Sequence, residues 1–165
     1  MELVSRVVPS PVGMLTLMAS DAGLAAVLWP DDEPRRVRLV AGPEGVPHPI
    51  LDEAAAQLAN YFAGRATSFD VPLDLRGTAF QREVWAALRT IPYGETRSYV
   101  AIARQIGRPD ASRAVGAANG RNPVSIIVPC HRVVGAAGAL TGFAGGMAVK
   151  AQLLRLESGR GDLFD

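Results

Sequence analysis

The chain has 165 residues, 48% of them hydrophobic and 20% charged, with a formal net charge of +1, an ordinary globular composition that fits one large domain or two small ones. Its single cysteine excludes a disulfide framework and a cysteine-rich zinc site, and the two histidines, His48 and His131, are too few to rescue a metal centre. No basic-then-apolar leader opens the sequence and no apolar run approaches the roughly 20 residues that cross a bilayer, so a cytoplasmic protein with no membrane partner is expected.

Along the chain, Leu3 to Val8, Gly13 to Ala19 and Gly23 to Trp29 are short apolar or β-branched runs. The turn chemistry of Pro9-Ser10-Pro11 and Asp21-Ala22-Gly23 separates them, which predicts three strands. The Pro/Gly-rich piece from Ala41 to Pro49 predicts a loop. Ile50 to Phe62 then carries one helical apolar stripe (Ile50, Leu51, Ala54, Leu58, Tyr61, Phe62), with Gly64 as its stop. Phe69 to Leu75 alternates at period two but contains Pro72, which makes it an edge strand or an extended linker.

A domain boundary falls near Arg76-Gly77, dividing the chain into residues 1–76 and 77–165. Beyond it, Thr78-Ala79-Phe80-Gln81 has the pattern of a capping box opening a helix through about Arg89, and Ile91-Pro92-Tyr93-Gly94 ends it. Ser98 to Ile106 predicts a short helix closed by Gly107, and Asp110 or Ser112 caps another that runs to about Asn119. Val124 to Val128 reads as a buried strand, and Gly146 to Glu157 as the last helix.

The charge is unevenly divided. Residues 1–76 hold six arginines against ten carboxylates, a net −4, whereas residues 77–165 hold eleven cations against six carboxylates, a net +5. Such a bias points to a polyanionic partner for the second half, with a solvated basic face as the alternative. The two short helices flanking Gly107 match a helix-turn-helix. The second is built from Ala111, Ala114, Gly116, Ala117 and Ala118, with Arg113 as its main long side chain. That favours close backbone approach and one inserted arginine over base reading in the major groove; tight helix–helix packing is the alternative.

Cys130 sits in Val128-Pro129-Cys130-His131-Arg132-Val133-Val134 and is followed by a glycine-rich stretch from Gly135 to Gly146. A thiol becomes a nucleophile when a base takes its proton, and His131 adjoins it; consecutive side chains often diverge, so a water is needed between them. His131 in turn needs an orienting acceptor, and Glu157 is the only carboxylate on the last helix. A structural core cysteine is the competing account, but a core has no use for Gly138, Gly142, Gly145 and Gly146.

Pro129-Cys130-His131-Arg132-Val133-Val134 resembles the active-site signature of the O6-alkylguanine-DNA alkyltransferases (methylated-DNA–protein-cysteine methyltransferases). Ile91-Pro92-Tyr93-Gly94-Glu95, Ser98-Tyr99, Arg113-Ala114-Val115-Gly116 and Asn119-Gly120-Arg121-Asn122-Pro123 precede it in the family's order. The resemblance extends over at least Phe80 to Glu157. It implies an α+β protein with a β-rich, ribonuclease-H-like N-terminal domain and a helical, winged-helix-like C-terminal domain carrying a helix-turn-helix.

The activity it implies is direct-reversal DNA repair. An alkyl group passes from O6 of guanine, with O4 of thymine left open, irreversibly and once, to Cys130. Residue by residue, Cys130 is the acceptor, and His131, through a water and held by Glu157, removes its proton. Tyr99 promotes flipping and protonates guanine N3. Asn122 ties the recognition element to the active-site turn, and Arg113 fills the gap left by the flipped nucleotide. Ser98, Tyr99, Ala114, Gly116, Ala117, Asn119 and Gly120 join Arg113 at the DNA. Val133 (through its carbonyl, to the exocyclic amine), Tyr99, Phe143, Ala144 and Gly145 line the base pocket.

Phe143 stands where the family often has tyrosine, and Ala144 where some members have serine, which puts tolerance of bulky alkyl groups in doubt. No cofactor or metal is implied. The implied partner is double-stranded DNA containing O6-alkylguanine, met by a monomer, with cooperative assembly on DNA left open, in a bacterial cytoplasm and at the nucleoid when bound. A non-catalytic sensor of alkylated bases and a helix-turn-helix transcription factor are the competing functions; the first lacks an acceptor cysteine, and the second predicts sequence-selective binding without an adduct.

Overall fold

The first three strands form where their apolar runs lie: β1 (Leu3–Val8), β2 (Leu15–Ser20) and β3 (Gly23–Leu28), in a computed structural model that describes residues 3–135, 138 and 142–159. β1 and β2 pair antiparallel with Val4 opposite Ala19 and Val8 opposite Leu15, and β2 pairs antiparallel with β3 through the tight turn before Gly23. One face of this sheet buries Leu15, Leu17, Leu24 and Val27 against the stripe of α1 (Pro49–Phe62), namely Leu51, Ala54, Leu58 and Tyr61. Each such buried side chain contributes roughly 1.5–3 kcal/mol.

The piece expected to be a loop from Ala41 to Pro49 instead contains a fourth strand, β4 (Ala41–Glu44), which pairs parallel to β1 and completes the order β3-β2-β1-β4. Its side chains are mostly exposed, so no alternation marks it in the sequence. The unpaired backbone edge of β1 recruits it.

The opposite edge of β3 joins the two halves of the chain. Near its start, Leu24 donates to the Pro72 carbonyl at 2.8 Å and accepts from Asp74 at 2.9 Å. The Phe69–Leu75 segment is therefore a linker docked on the sheet edge. Gly23 is required there, because a Cβ would lie 2.7 Å from the Pro72 oxygen. Near the end of β3, Val27 donates to the Pro123 carbonyl at 2.9 Å, so the second half of the chain covers the rest of that edge.

The second half is helical. α2 (Ala79–Leu88) opens with the expected capping box, in which the Thr78 hydroxyl accepts from Gln81 and the Gln81 side chain accepts from the Thr78 backbone. Trp85 on α2 is 1% exposed and donates its indole N–H to the Ala118 carbonyl at 2.8 Å, locking α2 to α4 (Ser112–Gly120). Between them lie β5 (Arg97–Ser98) and α3 (Tyr99–Gln105), the latter capped by the Ser98 hydroxyl and closed at Gly107, whose φ of +76° suits glycine. Neither Asp110 nor Ser112 caps α4; its N-cap is Ala111, with no side-chain cap, because Ser112 already lies inside the first turn.

The buried strand expected from Val124 to Val128 is also corrected. That run folds on itself, with Val128 donating to Val124 and Ile127 to Ser125, and Ile126 adopts a φ of +74°. Its β-branched residues are there because the space between the two units is dry, and no ladder holds them. A one-turn 3-10 helix (Cys130–Arg132), β6 (Val133–Val134, paired parallel with β5) and α5 (Met147–Glu157) are the remaining elements among the described residues.

Candidate active site

The thiol is delivered by a loop that Asn122 staples. The Asn122 amide nitrogen donates to the Val128 carbonyl at 2.8 Å, and its oxygen accepts from the Val124 N–H at 3.0 Å. Cys130 N–H then bonds the Val128 carbonyl at 2.8 Å, which begins the 3-10 turn carrying the acceptor. Ile126, a β-branched residue with φ +74° inside this loop, costs on the order of 1–3 kcal/mol, a strain tolerated only because its neighbours over-determine it.

Cys130 is buried, 4% exposed. Burial pushes its thiol above the ordinary value, opposed by the Asn122 hydrogen bond and by the positive charges of Arg36 and Lys150. A thiol so placed stays protonated until a base removes its proton. His131, fully buried beside it, has a ring nitrogen, Nε2, 2.7 Å from Glu157 Oε2. Its other nitrogen, Nδ1, is buried with no hydrogen-bond partner among the described residues. Burial holds His131 below its usual value and hence neutral, so Nε2 carries the proton it shares with the carboxylate and Nδ1 is left as a base.

Glu157 ends α5 at the helix end that its own charge disfavours, and the reason is the cluster around it. Burial pushes its carboxyl up, but the hydrogen bonds it accepts from His131, Arg132 and the Tyr61 hydroxyl outweigh burial and hold it at about 2. Arg132 donates from Nε to Oε1 at 2.7 Å and from Nη2 to Oε2 at 3.1 Å, while its Nη1 meets the Ile91 carbonyl at 2.7 Å. Sequence reasoning gave Arg132 no role. The signal was present nonetheless: a guanidinium next to a buried Cys-His pair must find a carboxylate.

Lys150, on α5, is fully buried and donates from Nζ to the Val133 carbonyl at 2.7 Å. The carbonyl expected to read the guanine amine therefore already accepts one hydrogen bond. Phe143 packs edge-on against Trp29 from the end of β3, with centroids 5.4 Å apart. Gly145 lies so close to both rings that a Cβ would sit 2.8 Å from Trp29 and 2.9 Å from Phe143. Ala144 is exposed. Trp29 is thus a wall of this region that the sequence did not announce.

On α4, Arg113, Ala114, Ala117 and Gly120 are exposed on one face, while Val115 and Ala118 point inward. Asn119 is the exception among the residues expected at the DNA. It is 5% exposed, and its amide donates toward the Cys130 carbonyl at 3.4 Å, because the helical phase that exposes Arg113 and Ala117 turns position 119 toward the thiol loop. Gly116 is half-buried, and a Cβ there would touch the Tyr99 ring at 3.7 Å, placing Tyr99 at the junction of α3 and α4. Ser98 is half-buried and caps α3.

From the first unit, Arg36 reaches across to the end of α4, donating to the Asn122 carbonyl at 2.7 Å and the Gly120 carbonyl at 3.3 Å while paired with Asp32. The acceptor loop is therefore clamped from both halves of the molecule.

Residues 79–159 match the family described as 6-O-methylguanine DNA methyltransferase, DNA binding domain, and residues 3–75 match its ribonuclease-like domain. A methylated-DNA–protein-cysteine methyltransferase of Mycolicibacterium paratuberculosis is 54% identical over 154 residues, covering 92% of this chain and 90% of that protein. One from Methanosarcina acetivorans is 48% identical over 156 residues, covering 90% and 94%. The Mycobacterium tuberculosis OGT solved in complex with DNA superposes with a TM-score of 0.85 at 50% identity, covering 98% of this chain and 99% of that one. With both halves matched in order around the Cys130–His131–Glu157 cluster, the chain belongs to the 6-O-methylguanine DNA methyltransferase family.

Proposed function

We propose that the protein repairs alkylated DNA directly, transferring an alkyl group from O6 of guanine to Cys130 in a single, irreversible step. The buried relay carries this proposal: a neutral His131 whose Nε2 faces an ionised Glu157 at 2.7 Å and whose Nδ1 is unpartnered among the described residues, next to the chain's one thiol. Nδ1 takes the Cys130 proton, through a water where the two side chains diverge, and the thiolate attacks the alkyl carbon in line. The S–C bond forms as the C–O6 bond breaks, its electron pair passing to guanine. A proton delivered to N3 by Tyr99 neutralises the departing base. The product is a thioether, which no group in the site can cleave, so each molecule acts once.

Duplex DNA is the proposed partner. The exposed small-residue face of α4 suits close approach to a groove, and Arg113, exposed on that face, is the residue proposed to occupy the gap left by a flipped nucleotide. A base-reading regulator would need long polar side chains there, and a sensor has no use for an activated thiol. Intact-mass analysis after incubation with a duplex containing O6-methylguanine tests the proposal. One added methylene, absent in Cys130→Ala, supports it; an unmodified parent protein refutes it.

A further inference from the structure

Tyr61 lies on α1 in the first unit, 96 positions before the carboxylate it touches. It is fully buried, and its ring is boxed by Phe62, Phe69 and Tyr93 at centroid distances of 5.3, 5.4 and 6.4 Å. From that box the hydroxyl donates to Glu157 Oε2 at 2.6 Å. That oxygen thus accepts three hydrogen bonds, from Tyr61, from His131 at 2.7 Å and from Arg132 at 3.1 Å. A phenol in this setting only donates: burial and the neighbouring carboxylate both push its ionisation far above the usual range. With three donors on Oε2, no room remains for a proton on that oxygen.

Resting on the alkyl-transfer proposal above, we infer that Tyr61 is a positioning residue of that reaction, its hydroxyl setting the basicity of Glu157 and through it that of His131. Among the described residues, the titratable groups acting on the Glu157–His131 pair are Tyr61 from α1, Tyr93 from the loop after α2, Arg132 from the 3-10 turn and Lys150 from α5. The two cations disfavour an imidazolium at His131, and Glu157 favours it. Each hydrogen bond donated to Glu157 draws charge from the carboxylate and weakens its hold on that imidazolium. The Tyr61 hydroxyl therefore helps keep His131 neutral, the form in which Nδ1 can accept a proton. By this route the first unit acts on the chemistry of the second.

Tyr61→Phe removes the hydroxyl and keeps the ring in its box. Two donors remain on Oε2, the carboxylate becomes more basic, and the imidazolium form of His131 gains stability. The acid limb of the pH–rate profile for Cys130 methylation should move to higher pH by about half a unit, the effect of losing one neutral hydrogen bond, with adduct formation on that limb roughly threefold slower. The experiment is single-turnover methylation from an O6-methylguanine duplex, read by intact mass across pH, for the parent, Tyr61→Phe and Tyr93→Phe.

Tyr93 is a matched control, since its hydroxyl meets the Leu156 carbonyl at 3.4 Å and not the carboxylate. NMR titration of the His131 ring, where His48 is the only other histidine, should move in the same direction as the rate profile. A Tyr61→Phe profile that superimposes on the parent, or an equal shift in Tyr93→Phe, overturns the role. A parent that takes up no methyl at all overturns the alkyl-transfer proposal itself and this role with it.

Discussion

Glu157→Gln keeps the shape of the side chain and removes its charge from the centre of the relay. Glu157 is 4% exposed and its carboxyl is held at about 2 against an ordinary 4.5, which at about 1.4 kcal/mol per unit corresponds to roughly 3 kcal/mol of stability. Removing one partner of a buried pair also leaves the Arg132 guanidinium uncompensated, at a cost of about 3–5 kcal/mol. Because the folded value lies below the unfolded one, this stability is fully present above the unfolded value and is lost as pH falls from about 4.5 towards 2. The amide has no such titration.

Urea unfolding of the parent and Glu157→Gln, from about pH 7 down to about pH 3, should therefore show a gap of roughly 3–5 kcal/mol that narrows as the solution becomes acid. In parallel, without its anion His131 should support alkyl transfer roughly a hundredfold or more slowly. A stability loss under about 1 kcal/mol, or a gap that does not change with pH, refutes the assignment of Glu157 as the ionised centre of a buried network.

Asn122→Ala deletes both staples of the thiol loop, leaving the Val124 N–H buried and unpaired and the Val128 carbonyl with its Cys130 bond alone. It should cost about 2–4 kcal/mol in thermal or chemical unfolding and raise the pH at which Cys130 reacts with a thiol reagent, since the amide stabilises the thiolate. Gly145→Ala places a Cβ 2.8 Å from Trp29 and 2.9 Å from Phe143; the overpacking should lower stability by about 1–3 kcal/mol and slow methylation, and an unchanged melting temperature would count against the observed packing. Arg113→Ala, at an exposed site, should leave unfolding within about 0.5 kcal/mol of the parent while slowing adduct formation on duplex substrate; equal rates would remove Arg113 from the DNA step.

Much of the fold was legible in local patterns. The stripe from Ile50 to Phe62 became α1, Thr78 and Gln81 closed the capping box that their spacing predicts, and the turns before β2 and β3 fell where proline and glycine mark them. Two misjudged segments share a cause. Ala41–Glu44 carries no alternation yet pairs with β1, and Val124–Val128 has the residues of a strand yet makes no ladder. In each case the outcome depended on which backbone edge or dry space stood opposite, and that is absent from the segment's own residues. Tyr61 falls in the apolar stripe of α1, and a phenol inside such a stripe needs a partner for its hydroxyl.

By itself the sequence determined the helices, the caps, the turns and the order of the Cys-His signature, because those obey rules spanning at most a few residues. It also carried the pattern that places Cys130, His131 and Glu157 in one family's order. Only the tertiary structure decided that Glu157 meets Tyr61 and Arg132 as well as His131, that Asn119 turns to the thiol loop and away from the exposed face, and that Arg36 and Trp29 reach the site from the first unit. A contact between positions 61 and 157 leaves no mark on the residues beside either one. It exists because burying an ionised carboxylate is unfavourable until several donors converge on it, and only the folded chain brings them together.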